Sequence, residues 1–166
     1  LEACIDVYRS NEPDFVSPEG LENFVNFLSL GTSYYLVIEH AGDVIGCGGL
    51  ELVGDSDNAW LMHGMVHREY HRRGFGTTLL AARIALLETD ERPIELWTRA
   101  STPVIPFYGR FGFRLDQVSY RFRLNQIDLV VEVGPARELA RLGQARTQLQ
   151  TTRQQHFHLF FLMIRR

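Results

Sequence analysis

The stretch HGMVHREYHRRGFG at residues 63–76 can fold in two ways, and the choice decides the architecture of the middle of the chain. Three histidines, His63, His67 and His71, stand four residues apart, so a continuous helix would align them along one stripe suited to a metal ion. If the chain is instead a strand followed by a loop and a helix, RRGFG becomes the informative part. The two alternatives lead to different functions, metal binding or phosphate binding.

The residues themselves argue against the metal alternative. Gly64 weakens a helix, and AWLMHGMV has the aromatic and branched side chains typical of a strand. A zinc site of the HExxH kind needs glutamate after its first histidine, where this chain has glycine. A strand places His63, Met65 and His67 on one face and removes the four-residue stripe. We therefore expect no metal site.

The phosphate alternative rests on the order of strand, polar loop, glycine pair and helix. Gly74 and Gly76 leave out side chains where a ligand would approach the backbone. The helix predicted to begin at Thr77 offers unpaired N–H groups and a partial positive charge, which suit a diphosphate. All seventeen basic residues are arginines, which excludes lysine chemistry such as a Schiff base or pyridoxal-phosphate attachment.

Hydrophobic periodicity predicts one domain at residues 1–134 and an appended helical and apolar tail at 135–166. The chain starts in a helical pattern without methionine, so we expect a short native segment, including a first strand, to precede Leu1. The elements expected within the domain are helices at 1–11 and 17–30, a hairpin at 34–52, a strand at 58–66, a helix at 77–88, a strand at 93–101, a short helix ending at 112, a strand from 113 and a last strand at 124–133.

Charge and cysteine usage limit the partners. A net charge of −3 gives no general attraction to nucleic acid or to an anionic membrane. The apolar run at 157–164 is far shorter than the roughly 20 residues of a membrane span. Cys4 and Cys47 lack CxxC spacing, which is typical of reduced, buried cysteines in the cytoplasm. The tail is expected to pack on the domain or on a second copy, as in a homodimer.

A second motif supports the phosphate alternative. FYGRFGF at 107–113, together with HRRGFG at 71–76, resembles the GCN5-related N-acetyltransferases. Their signature is a strand, a Q/R-x-x-G-x-G/A loop and a helix, followed later by FYxxxGF; this chain departs from it with His71 at the first position. The resemblance extends over residues 34–133 and implies an α/β (α+β) fold, a mixed and mostly antiparallel sheet flanked by helices.

The resemblance also implies acetyl-CoA as co-substrate and assigns its contacts. Main-chain groups of Met65, Val66 and His67 would meet the pantetheine arm and the thioester carbonyl in a gap between strands. Ser101 stands near the place where many relatives have an asparagine that contacts the pantetheine. The pyrophosphate would be wrapped by the loop and the first turn of the helix, with contributions from His71, Arg72, Arg73, Gly74, Phe75, Gly76, Thr77 and Thr78.

For catalysis, the resemblance makes Tyr108 the acid that protonates the departing CoA thiolate; the alternative is a tyrosine that only packs beside CoA. The general base is open among His63, Glu51 and Glu95. His63 has the most suitable ordinary pKa, although a histidine without catalytic duty is an alternative. The N-terminal helices would cover the acceptor site with Tyr8, Asn11, Phe15 and Phe24.

The expected reaction is transfer of an acetyl group from acetyl-CoA to a primary amine of a small molecule or peptide. The amine would attack directly in a ternary complex, without a metal and without a covalent acyl-enzyme. The alternative from another functional class is a non-catalytic module that binds acetyl-CoA or CoA on the same fold. The identity of the amine is not predicted by any of these patterns.

Overall fold

The computed structural model describes residues 1–31, 34–54, 58–87, 94–117, 126–133 and 157–162. Single turns of 3₁₀ helix lie at Pro18–Gly20, Arg68–Tyr70 and Thr102–Val104. In chain order the helices and strands are α1 (Glu2–Ser10), α2 (Leu21–Leu30), β1 (Tyr34–His40), β2 (Asp43–Leu52), β3 (Asn58–Val66), α3 (Phe75–Ile84), β4 (Ile94–Ser101), α4 (Ile105–Gly109), β5 (Arg114–Gln117), β6 (Gln126–Val133) and β7 (Phe157–Leu162).

These strands form one mixed sheet in the order β5-β6-β4-β3-β2-β1-β7. The β3–β4 pair is parallel, and the other pairs are antiparallel. The predicted mixed, mostly antiparallel sheet with flanking helices is therefore confirmed. Within the described ranges, none of the helices has the length and apolar character needed to cross a bilayer.

Each face of the sheet carries its own apolar layer because side chains alternate along each strand. Helices α1 and α2 cover one face, where Val7, Phe24 and Tyr35 are buried. Helix α3 covers the other face with Leu80 and Ile84. Each such side chain contributes about 1.5–3 kcal/mol when fully buried, so the sheet is held between two helical layers.

The strands β3 and β4 separate toward their carboxyl ends. Their pairing runs from Asn58 opposite Glu95 to Leu61 opposite Thr98, whereas β3 itself continues to Val66. A bulge lies in the same part of β3, where two residues oppose one residue of β2. Bulges bend and twist a strand, so this one helps β3 to diverge and opens a gap in the middle of the sheet.

Most predicted elements are present, with two differences. Helix α3 begins at Phe75 rather than Thr77, because Gly74 adopts φ +90° and already serves as the N-cap, and it ends at Ile84 rather than Glu88. The apolar end of the tail, predicted without a strand, contains β7, which pairs with β1 of the same chain. The helix expected over 135–155 lies outside the described residues, and the homodimer stays a prediction.

Candidate active site

The gap between β3 and β4 opens into a cleft of about 1460 Å³. It is reached from both faces of the sheet, since it is lined by Asn11 and Phe15 on one side and Phe107 on the other. Ten of the residues predicted for the site line this cleft: His63, Met65, Val66, His71, Arg72, Gly74, Gly76, Thr77, Ser101 and Tyr108. The other four predicted residues, His67, Arg73, Phe75 and Thr78, are adjacent in sequence but do not line it.

The end of β3 is held firmly at the edge of the cleft. The His67 amide donates to the Ile45 carbonyl at 2.7 Å, so this amide is not available to a ligand in the gap. Because successive residues of a strand direct their amides to opposite edges, the amide of Val66 faces the gap. The Val66 carbonyl accepts hydrogen bonds from Asn11 Nδ2 at 2.9 Å and from His71 Nε2 at 2.8 Å.

The loop before α3, with the first turn of that helix, is the segment predicted to cradle a phosphate. Gly74 has φ +90°, a conformation that disfavours any side chain, and a Cβ there would meet open space. The Thr78 amide donates to the Gly74 carbonyl at 3.1 Å and so begins the helical hydrogen bonding. The amides of Gly76 and Thr77, within the first turn, have no intrahelical acceptor. These amides are the kind of donor that a diphosphate would need.

The arginines of the loop are used in different ways. Arg68 forms an ion pair with Asp14 at 2.8 Å and lies over the Phe15 ring, which ties the loop to the segment between α1 and α2. The guanidinium of Arg73 stacks over Tyr70 at 5.2 Å. Arg72 is exposed and lines the cleft, so it is the loop arginine best placed to meet an anion there.

Tyr108 lies on α4 and lines the cleft. Its side chain is 5% exposed and packs edge-on against Phe107 and Phe113, with ring centroids 5.1 Å apart in both pairs. These contacts fix the phenol while leaving it at the cleft surface. Ser101, the last residue of β4, lies on the same side of the gap.

His63 occupies the bulge of β3 with φ +44°. Its ring packs against Phe24 and Phe27, at centroid distances of 5.2 and 4.7 Å. Burial in this aromatic environment lowers the pKa of His63 to about 4, so the imidazole is neutral near pH 7. Of the other two candidate bases, Glu51 lines the cleft, whereas Glu95 accepts a hydrogen bond from Trp97 outside it.

The three histidines do not form a metal site. His63 lies in β3, His67 caps the following 3₁₀ turn and His71 bonds to the Val66 carbonyl. The three imidazole rings therefore do not converge on one point. Across the part of the chain that the structure describes, no group of three or more His, Cys, Asp or Glu side chains is arranged to hold a metal ion.

Arg83 is a cationic residue that also lines the cleft and that was not predicted from the sequence. It lies on the inner face of α3, and only 2% of its surface is exposed. The available signal was its spacing, because Arg83 follows the core residues Leu79 and Leu80 by four and three positions and therefore shares their face. An arginine that continues an apolar stripe at helical spacing is expected to lie on the buried face of the helix.

Comparisons with known proteins agree with this architecture. Residues 1–113 match the model of the Acetyltransferase (GNAT) family. A comparison with curated proteins finds no match.

Several solved structures are similar in fold. The Escherichia coli ribosomal-protein-S18-alanine N-acetyltransferase has a TM-score of 0.62 at 18% identity, with 81% of this chain and 88% of that chain covered. The Thermoplasma acidophilum PaiA N-acetyltransferase, solved with coenzyme A, gives 0.58 at 17% identity, with 80% and 89% covered. The Neisseria gonorrhoeae N-acetylglutamate synthase gives 0.56 at 18% identity with 80% of this chain covered, and the match spans only 32% of that synthase.

Proposed function

The chain belongs to the acetyltransferase (GNAT) family, and on that premise we propose that it moves an acetyl group from acetyl-CoA to a primary amine by direct attack in a ternary complex. The family establishes an acetyl-CoA-dependent acetyltransferase. The amine acceptor and the roles of individual residues are our proposal. The observation that supports it best is that a strand gap, a glycine cradle and a tyrosine line one cleft.

Two parts of the cleft are proposed to bind acetyl-CoA, the glycine loop its pyrophosphate and the strand gap its pantetheine arm. Amides at Gly76 and Thr77 would hold the pyrophosphate, with Arg72 adding positive charge. The Val66 amide, which faces the gap, would pair with the pantetheine arm as a neighbouring strand does, and Met65 would contact the arm from the lining of the cleft. His67 would contribute its carbonyl or side chain, since its amide already donates to Ile45.

The chemical step needs two proton transfers. The amine nitrogen bonds to the acyl carbon, the carbon–sulfur bond breaks, and the amine releases a proton. Tyr108 is proposed to supply a proton to the sulfur, which a phenol can do for a leaving thiolate. The Val66 amide at the β3 edge would stabilise the oxyanion that forms on the acyl oxygen.

The role of His63 follows from its low pKa. An imidazole with a pKa of about 4 is always unprotonated near pH 7, but it holds a proton poorly. We therefore propose that His63 accepts a hydrogen bond from the attacking amine and orients it, and that the proton passes on to water in the cleft. Tyr8, Asn11 and Phe15, which line the α1–α2 side, would surround the acceptor.

The first test is thermal unfolding of the purified chain alone, with acetyl-CoA, with CoA and with zinc. A ligand at a hundred times its dissociation constant adds about 2.7 kcal/mol, which raises Tm by about 5–10 °C for a chain of this size. A rise with acetyl-CoA and CoA supports the proposal. No rise with either would contradict it, and a rise with zinc alone would favour the metal alternative.

The second test is acetylation of an amine panel by wild type, Tyr108→Phe and Tyr34→Phe. Tyr34 is 47% exposed on β1 and does not line the cleft, so its variant is a matched control. We expect Tyr108→Phe to lose roughly 10²-fold or more in kcat while retaining the acetyl-CoA-dependent rise in Tm. An unchanged kcat would remove the acid role, and binding without turnover on any amine would favour the non-catalytic alternative.

A further inference from the structure

Arg83 is a buried cation with incomplete hydrogen bonding. Its Nε donates to the Leu79 carbonyl at 3.3 Å, one turn back in α3. Its Nη1 has no hydrogen-bond partner, and among the described residues no carboxylate lies within ion-pair distance of the guanidinium. A buried charge without a partner is strongly unfavourable. Such a group therefore points to a ligand that supplies the missing anion.

The space around the guanidinium is created by two glycines on adjacent strands. A Cβ on Gly64 would lie 2.6 Å from Nη1 and 2.7 Å from Nη2 of Arg83. A Cβ on Gly48 would lie 3.2 Å from Nη1. Any larger residue at Gly64 would require the guanidinium to move. The sheet surface is thus open at the place where the guanidinium lies, beside the bulge.

The position of Arg83 separates it from the phosphate cradle. Arg83 follows Phe75 by eight positions, a distance of about 12 Å along α3. Leu79, which accepts from Nε, and Gly64, next to His63 in the bulge of β3, lie against the guanidinium and also line the cleft. An anion at Arg83 is therefore a different group from the pyrophosphate, and it lies toward the reacting end of the cleft.

We propose that Arg83 binds a free carboxylate carried by one of the two substrates. This inference rests on the proposed acyl transfer and names the chemical class of substrate. With Nε occupied by Leu79, the two terminal nitrogens remain, and they match the two oxygens and single charge of a carboxylate better than a bulky phosphate dianion. Either of two groups can supply this carboxylate: the far end of a dicarboxylic acyl group on CoA, or the acid group of an amino-acid acceptor.

The transfer step is the same for either source. The acceptor nitrogen forms a bond to the acyl carbon, the carbon–sulfur bond breaks, the nitrogen loses a proton, and CoA leaves as its thiol. The carboxylate takes no part in bond making. Its role is to place the reacting group by its ion pair with Arg83.

The experiment uses matched substrate pairs with wild type and Arg83→Met. The donor pair is succinyl-CoA and acetyl-CoA; the acceptor pairs are L-phenylalanine with phenethylamine and L-lysine with cadaverine. We expect the wild type to prefer the carboxylated member of one kind of pair, by about 10- to 100-fold in kcat/KM, and Arg83→Met to remove that preference. The pair that responds identifies the source. No preference in wild type, or a preference that survives Arg83→Met, overturns the inference.

Two controls keep the result interpretable. Replacing an unpaired buried ion with an apolar side chain of similar size is often neutral or stabilising, so we expect Arg83→Met to unfold at or above the wild-type Tm. If it does not fold, Arg83→Gln takes its place, with the same expected loss of preference. Acetyl-CoA should raise the Tm of wild type and variant alike. No rise in wild type defeats the proposed function and this inference with it, whereas a rise without carboxylate preference defeats this inference alone.

Discussion

Replacement of Gly64 by alanine tests the packing beneath the bulge of β3. The new Cβ would lie 2.6–2.9 Å from three atoms of the Arg83 guanidinium, whereas such atoms prefer about 3.5–4.0 Å. The guanidinium must therefore shift by nearly 1 Å within a closely packed layer. Overpacking of this kind costs about 1–3 kcal/mol. We expect a loss near 2 kcal/mol, or about 4–8 °C in Tm for a chain of this size.

The assay is a double-mutant cycle followed by urea and thermal unfolding, with wild type, Gly64→Ala, Arg83→Met and the double variant. In the Arg83→Met background the flexible thioether can yield, so Gly64→Ala should cost less than about 0.5 kcal/mol there. Gly109→Ala is a suitable control, since a Cβ on Gly109 meets nothing within 4 Å. An equal loss in both backgrounds would rule out a clash with Arg83, because the cost would then come from the strand itself.

Three further perturbations follow from the site. Gly74→Ala should cost about 1–3 kcal/mol through its φ of +90° alone and should weaken the acetyl-CoA-dependent rise in Tm; an unaffected rise would contradict the cradle. Folded His63 has a pKa of about 4 against an ordinary 6.5, so it contributes up to about 3 kcal/mol of stability above pH 6.5 that is lost as the pH falls toward 4. Asparagine tolerates positive φ, so His63→Asn should reduce the pH dependence of the unfolding free energy between pH 6.5 and 4. A pH dependence equal to that of wild type would argue against this effect of His63. Asn11→Ala removes two donors to buried carbonyls and should cost about 1–3 kcal/mol in urea unfolding, whereas exposed Asn26→Ala should change less than about 0.5 kcal/mol.

The sequence was most informative where structure depends on local chemistry. The bounds of β3, at residues 58–66, follow from a run of aromatic and apolar residues between polar segments. The hairpin of β1 and β2 follows from a β-rich run on each side of a short turn with Gly42 at φ +91°. The turn into α3 follows from its glycines, of which Gly74 precedes the helix and Gly76 lies in its first turn. In each case neighbouring residues in the sequence determine the conformation.

What the sequence did not predict depends on contacts between distant residues. The start of α3 is set by the left-handed conformation of Gly74, and glycine alone does not specify which conformation it adopts. Strand β7 exists through its pairing with β1, more than a hundred residues earlier. Arg83 has the spacing of a core residue but the chemistry of a surface one, and only the fold brings Gly48 and Gly64 to it.

The bulge in β3 connects the two sides of the cleft. His63 and Gly64 together oppose a single residue of β2, so the extra residue turns the two in opposite directions. His63 packs toward Phe24 and Phe27 on the α2 face, while Gly64 lies over the Arg83 guanidinium on the α3 face. One local irregularity thus opens the strand gap, places the imidazole on the proposed acceptor side and leaves room for the buried cation. A substitution that straightened the bulge should therefore alter donor binding and acceptor preference together.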